Sequence, residues 1–290
     1  MKVTILTPVK NEEKFIGDAI RSVLNQTYKD FEFIIIDDGS TDKTVDIVKS
    51  FDDSRIKLII SEGKGKNIAY NIGYKESDGD FLCYFDGDDI LEPDSIENRL
   101  KPIKHLRKPS ATASKCIMFS EFKKFDGVVT PKSDVKGTLF GASMMINRSL
   151  AERVFPLPED LPNQDKWTVQ HIYHFADLYH VPVITFNYRI HENNSSSRTN
   201  PFHLKTEAMH KRFLVYKKFL EKYFNKLNDQ QRLNLTTLAR AEELRYQNKT
   251  LSILFLKNLN FGEKARFIFH STAFLYWIRI QLFSLLSGRT

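Results

Sequence analysis

Three clusters of charged and amide residues each follow a short apolar run. They are Lys10-Asn11-Glu12-Glu13 after Val9, Asp37-Asp38-Gly39-Ser40 after Ile36, and Asp86-Gly87-Asp88-Asp89 after Phe85. Two carboxylates one residue apart at the end of a strand are hard oxygen ligands, suited to Mg²⁺ or Mn²⁺ held jointly with a substrate's phosphates. Taken alone, Asp86-x-Asp88 has a simpler reading, because Asp88 or Asp89 could cap a helix running past Pro93 and Ile96. The second pair, Asp37-Asp38, alters the balance. Acids brought together from neighbouring strand ends repel one another, and a bound cation is the simple remedy.

The elements that would position these acids alternate in period. A β-branched run at Val3–Val9 precedes a helical face at residues 15–24 and a continuous apolar strand at 31–36. That length is one βαβ unit, and strands without polar alternation suit a parallel sheet covered on both faces. The pattern repeats as a helix over 41–51 after Ser40/Thr41, a strand at Ile56–Ile60, a helix over 67–74 and a strand over 81–85. In such sheets ligands sit beyond the carboxyl ends of the strands, which is where the three clusters fall. Residues 101–135 carry Pro102, Pro109 and Pro131 and predict a helix followed by irregular strands. A strand entering a helix at Ser149 is expected over 137–147, a further strand over 181–190, and a polar loop over 191–199.

In combination and order the motifs resemble a known family. The run 7–13 (TPVKNEE), 19–28 (AIRSVLNQTY), Ile36-Asp37-Asp38-Gly39-Ser40-Thr41-Asp42 and Asp86-Gly87-Asp88-Asp89 look like the opening of a family 2 glycosyltransferase. Gly141-Ala142-Ser143-Met144-Met145-Ile146 with Arg148-Ser149-Leu150, then Gln164-Asp165-Lys166-Trp167, and Tyr188-Arg189-Ile190-His191 resemble its acceptor-side signatures. The resemblance covers about residues 2–199. It implies an α/β chain with the GT-A fold: a Rossmann-like, mostly parallel sheet flanked by helices, here with a C-terminal helical extension. Residues 1–202 would be the catalytic domain, with 1–100 as the nucleotide-sugar half and 101–202 as the acceptor half. Residues 203–290 would be a basic helical region.

The implied reaction is inverting transfer of a hexosyl or N-acetylhexosaminyl group from a nucleotide diphosphate sugar, expected to be UDP-linked, to a glycan or lipid-linked acceptor in surface polysaccharide or glycolipid synthesis. Asp165 matches the family's general base, with Gln164 where the family pairs it with Glu. The donor would meet Pro8, Val9, Asn11, Glu12, Asp38, Lys66, Asn71, Asp86 and Gly87. Asp88, with Asp86 and His191, would hold Mn²⁺ or Mg²⁺, and Arg189 would contact phosphate. Gln164 and Trp167 would face the acceptor, although a core Trp at a helix start fits Trp167 equally well. The blander readings are Asp38 as a turn residue, Lys66 in a solvated Gly loop and His191 packed on Tyr188. Tyr70 stands where the family often has an arginine.

Composition narrows the classes. The 290 residues include 43 Lys+Arg, 36 Asp+Glu and only two cysteines, which excludes a disulfide-stapled module or a disordered tail protein. Cys83 and Cys116 lack metal-ligand spacing and are expected to be buried thiols in a reducing compartment. The start shows no secretory signal, so a cytoplasmic location is expected, peripheral at the inner face of the plasma membrane. From His203 to Thr290 sixteen Lys+Arg face six Asp+Glu, so the basic character belongs to the tail. The apolar segment 267–286 contains Arg279 and suits a membrane surface or a homodimer interface better than a span. No recognition motif supports nucleic-acid binding. A nucleotidyltransferase would want a glycine-rich basic loop after the first strand, which 10–13 is not. A non-catalytic glycan- or lipid-binding scaffold would have no reason to keep Asp38, Asp86, Asp88 and Asp165 together.

Overall fold

The computed structural model describes residues 1–120, 122, 125–192 and 201–287, with side chains to 282. The described residues form two compact units, Met1–His191 and Glu192–Thr290.

The first unit opens with β1 (Val3–Val9), α1 (Ile16–Leu24), β2 (Phe31–Asp37), α2 (Thr44–Lys49), β3 (Ile56–Ile60), α3 (Lys66–Lys75) and β4 (Phe81–Tyr84). It continues with β5 (Ile90–Leu91), α4 (Ser95–Leu100), β6 (Ser110–Ser120) and β7 (Val129–Thr130). After a 3₁₀ turn at Gly141–Ser143 come β8 (Met144–Asn147), α5 (Arg148–Val154), α6 (Asp165–Phe175) and β9 (Asp177–Ile190). One sheet runs β3-β2-β1-β4-β8-β6-β9-β5, with β7 added on β6. The first four strands are parallel, because each return passes through a covering helix. β8 is antiparallel to both β4 and β6, and β9 runs parallel to β6.

β1 and β2 are buried almost end to end, as strands covered on both faces must be. Ile16, Ala19, Ile20 and Val23 of α1 pack on one side of the sheet with Phe33, Ile35, Phe85 and Ile96. Successive strands leave β1 in opposite directions, to β2 and to β4, and the crevice at that reversal is where an open α/β sheet takes its ligand.

Three expectations change. The helix expected from residue 41 starts at Thr44, since the backbone N–H groups of Ser40, Thr41 and Lys43 are taken by Asp37, Asn11 and Glu13. The helix expected at the start of 101–135 does not form among the described residues, and the irregular strands expected after it are β6, whose register against β9 shifts between Ser114 and Cys116, and the two-residue β7. The apolar segment 267–286 is two helices, not one. The polar loop 191–199 lies almost wholly outside the described residues.

The second unit is helical: α7 (Phe202–Phe213), α8 (Val215–Tyr223), α9 (Asp229–Tyr246), α10 (Thr250–Leu254), α11 (Phe261–Phe269) and α12 (Ala273–Ser287). The break between α11 and α12 is built in sequence. Thr272 Oγ1 accepts from the Leu275 N–H to start the new helix, and the His270 carbonyl that ends the old one accepts from Arg245. Among the described residues no helix is long and apolar enough to cross a membrane.

Candidate active site

The D-x-D loop leaves β4 into the crevice beside the end of β1. It lies so close to β1 that a Cβ on Gly87 would fall 2.9 Å from Val9 Cγ1, so only glycine fits there. Asp86 Oδ1 is 2.6 Å from Lys66 Nζ at the start of α3. Asp88 Oδ2 is 3.0 Å from His191 Nε2, just past β9. Asp89 is fully buried, and its Oδ1 accepts from the Arg189 N–H at 2.9 Å.

Arg189 Nε donates 2.7 Å to the Asp88 carbonyl, and its guanidinium lies over Phe15 and Phe119 at 4.6 and 4.4 Å. It holds the D-x-D loop, and the expected contact to phosphate would need its guanidinium to turn from that loop. His191 packs against Phe15, ring centroids 4.7 Å apart with the planes tilted by 44°.

The acids that meet here are Glu12, Asp86, Asp88, Asp89 and Asp165, while Asp37 and Asp38 bond to Gly39, Ser40, Ser61 and Gly65; the chain meets the repulsion in three ways. Burial, with Asp88 and Asp86 adding to it, pushes the Asp89 carboxyl well above the ordinary carboxylate range. Burial and the same two neighbours push Glu12 up to about 8. Lys66 supplies a cation. Desolvation in the cleft would lower its pKa, but Asp86, Asp165 and Asp88 outweigh that and raise it.

The motif loops after β1 and β2 are tied to each other. Asn11 N–H donates to Ser40 Oγ, Asn11 Oδ1 accepts from the Thr41 N–H at 2.8 Å, and the Glu12 N–H donates to Thr44 Oγ1 at 2.8 Å. The backbone of Pro8 and Val9 is buried at the base of this arrangement, where the Asp38 N–H donates to the Val9 carbonyl. Asp38 itself is buried, accepting from Ser61 Oγ at 3.1 Å and from the Gly65 N–H at 3.0 Å. Gly65 presents that N–H at φ 118°, which a side chain would resist.

Asp165 opens α6, and its Oδ1 accepts from the Gly141 N–H at 2.8 Å. A Cβ on Gly141 would lie 3.7 Å from Asp86 Oδ2, so Gly141 sits between the D-x-D loop and the α6 carboxylate. The 3₁₀ turn carrying Gly141 is held by Arg99, fully buried, whose Nη1 donates 2.6 Å to the Ala142 carbonyl.

Three expected ligand contacts are corrected by burial. Trp167 is 1% exposed, with Nε1 donating to the Val154 carbonyl at 2.9 Å, so it is core and no stacking platform. Asn71 spends its whole amide on the Leu157 backbone, accepting from its N–H at 2.7 Å and donating to its carbonyl at 2.9 Å. Gln164 is 1% exposed and reaches Tyr70 Oη at 3.3 Å, while its Oε1 has no hydrogen-bond partner.

Sequence reading missed Arg99 and Asn67. Asn67 Nδ2 donates to the carbonyls of Pro158 and Leu161, 2.8 and 2.9 Å away. With Asn71 it clasps the segment leading into α6. The available signal was their i,i+4 spacing on α3, which puts both amides on one face. Arg99 gave no signal, since its partners are backbone carbonyls far away in the chain.

Among the described residues no three His, Cys, Asp or Glu side chains converge as a ready metal cage. Asp88 and His191 still form a fitting donor pair, because a divalent ion bound with a diphosphate needs only one or two protein ligands.

Comparison with known proteins bears on the sequence and the architecture. Residues 4–124 match Glycosyl transferase family 2. An uncharacterized glycosyltransferase of Haemophilus influenzae is 39% identical over 101 residues, covering 34% of this chain and 40% of the relative. Glycosyltransferase GlyA of Streptococcus pneumoniae is 36% identical over 104 residues, covering 35% of this chain and 15% of the relative. The chain thus matches well under half the length of these curated relatives. Among solved structures, S. aureus TarS 1-349 in complex with UDP-GlcNAc superposes with a TM-score of 0.64 at 19% identity, covering 95% of this chain and 83% of that one. The mannosyltransferase PcManGT from Pyrobaculum calidifontis in complex with GDP-Man and Mn²⁺ gives 0.58 at 15% identity, covering 95% and 87%. Residues 4–124 thus resemble family 2 glycosyltransferases in sequence, and the architecture is the GT-A fold of these solved glycosyltransferases.

Proposed function

We propose that the chain is an inverting, metal-assisted glycosyltransferase. The observation that carries this is the meeting, at the sheet's switch point, of Asp86, Asp88 and His191 with Asp165, linked across the gap by Gly141. Residues 1–100 would form the donor half and 101–202 the acceptor half. Asp38 and the loops around Asn11 and Gly65 would face the nucleoside. A UDP-linked hexose or N-acetylhexosamine is the expected donor, UDP-GlcNAc being what TarS carries in its complex. The acceptor would be a hydroxyl of a glycan or of a lipid-linked intermediate in surface polysaccharide or glycolipid synthesis, at the cytoplasmic face of a membrane.

Asp88 and His191 would hold Mn²⁺ or Mg²⁺, which when bound neutralises the departing diphosphate. Lys66 balances Asp86 in the free protein and would turn to the diphosphate when it arrives. Asp165 takes the proton from the acceptor hydroxyl as its oxygen attacks the anomeric carbon. The bond from that carbon to the diphosphate breaks, and the sugar is delivered with inverted configuration. The N–H of Gly141 keeps the Asp165 carboxylate oriented for this.

The test is hydrolysis and transfer across a panel of nucleotide sugars with Mn²⁺ and with EDTA. Metal-dependent release of one nucleoside diphosphate supports the proposal. Turnover that releases pyrophosphate from a nucleoside triphosphate would mark a nucleotidyltransferase, and donor binding without turnover would mark a scaffold.

A further inference from the structure

Among the described residues of the second unit, the three most exposed large apolar side chains fall in one short stretch, while Phe274 and Trp277 of α12 are exposed to 67% and 56%. Phe261 is 89% exposed, Phe255 82% and Leu251 73%. They do not belong to a frayed end. Ile253 and Phe267, on the same elements, are fully buried against Ala241 and Leu244 of α9. Asn260 caps α11 in a reciprocal box with Glu263, both bonds 2.9 Å. Lys264 Nζ donates 2.7 Å to the Leu254 carbonyl, which draws the first turn of α11 against the end of α10. The stretch is therefore a fixed lobe with phenylalanines at its tip, a cost in water that a free surface has no reason to bear.

Its charge indicates what covers it. Residues 244–262 hold Arg245, Lys249 and Lys257 and no Asp or Glu. Arg245 is buried in the unit's core, while both lysines are exposed beside the phenylalanines. Over 203–290 the net charge is +10. A second copy would bring the same positive surface against itself, whereas an anionic lipid surface offers acyl chains to the aromatics and headgroups to the lysines.

We propose that the lobe formed by residues 249–261 docks on an anionic lipid surface, with Phe255 and Phe261 inserted at the headgroup boundary. This anchor lies outside the 267–286 segment that the sequence favoured for that role. It stands apart from the glycosyl-transfer reading, because lipid binding is measured without turnover.

The test is flotation of the full chain with vesicles of equimolar phosphatidylcholine and phosphatidylglycerol, against phosphatidylcholine alone, at low and high salt. Wild type should float only with phosphatidylglycerol and be released by salt. Phe255→Ser with Phe261→Ser should weaken partitioning by at least about tenfold, with the thermal transition unchanged because neither side chain is packed. Lys249→Glu with Lys257→Glu should abolish the phosphatidylglycerol dependence. Flotation unaffected by either pair, or no flotation by wild type, would overturn the proposal. So would a solution dimer that the phenylalanine pair disrupts, since the face would then belong to a second copy.

Discussion

Asp88 and His191 lie 3.0 Å apart in a hydrogen bond that brings an oxygen and a nitrogen donor side by side. A neutral imidazole and a carboxylate are a workable pair for a divalent ion, and the diphosphate supplies the other oxygens. Asp88→Asn keeps the shape and removes the charge. Nucleotide affinity measured by calorimetry should then become the same in Mn²⁺ and in EDTA, whereas wild type should bind more tightly with Mn²⁺. A variant retaining the full Mn²⁺ effect would remove Asp88 from the metal site. Asp165→Asn isolates proton transfer more cleanly, because the amide oxygen can still accept from the Gly141 N–H. Transfer should fall by about 100-fold or more, with donor affinity nearly unchanged. Near wild-type turnover would show that another group takes the proton.

At the scale of elements, α3 ties the site together. Lys66 at its first turn reaches Asp86, Tyr70 reaches Gln164, and Asn67 and Asn71 hold the backbone of the segment before α6. Asn71→Ala would leave a buried N–H and a buried carbonyl of Leu157 without partners. It should destabilise the chain by about 1–3 kcal/mol in urea titration and lower kcat more than donor affinity, since the loosened segment carries Asp165. Equal stability would mean that water replaces the amide. The strands that position the acids were legible because parallel strands covered on both faces leave unbroken apolar runs. β6 was not legible. Its Ser110, Thr112 and Ser114 are buried polar residues, and Ser114 Oγ is satisfied by Thr185 Oγ1 2.6 Å away on β9, a partner no local pattern reveals. Asn71 was placed at the ligand for the same reason, and only the core one of the two readings of Trp167 holds, since a motif fixes residue type while burial is decided by segments distant in the chain. Asp88 with His191 and Asp165 with Gly141 lay within the recognised motifs, and their pairing needed the fold.

For the whole molecule, both units hold an apolar cluster, and the second adds a buried charge pair to it. The first buries a continuous apolar cluster around the sheet. The second places a charge pair inside its helices: Arg245 is fully buried and Glu242 nearly so, with Arg245 Nη2 2.6 Å from Glu242 Oε1. Arg245 also donates to the carbonyls of Thr206 and His270, at 3.1 Å in each case, and so joins α7 to the break before α12. Glu242 further meets His210 Nδ1 at 3.2 Å. Desolvating two charges is costly, and such a pair is held by its geometry and by the hydrogen bonds that saturate it. Removing one member should therefore hurt more than removing both. Arg245→Met would leave Glu242 buried without its cation and should cost roughly 3–5 kcal/mol. Arg245→Met with Glu242→Leu should recover a large part of that loss in a double-mutant cycle read by urea denaturation of the full chain. If the double variant were as unstable as the single one, the carbonyl contacts to Thr206 and His270 would be the bonds that matter, and Arg245 would act as a backbone clamp whose partner charge is incidental.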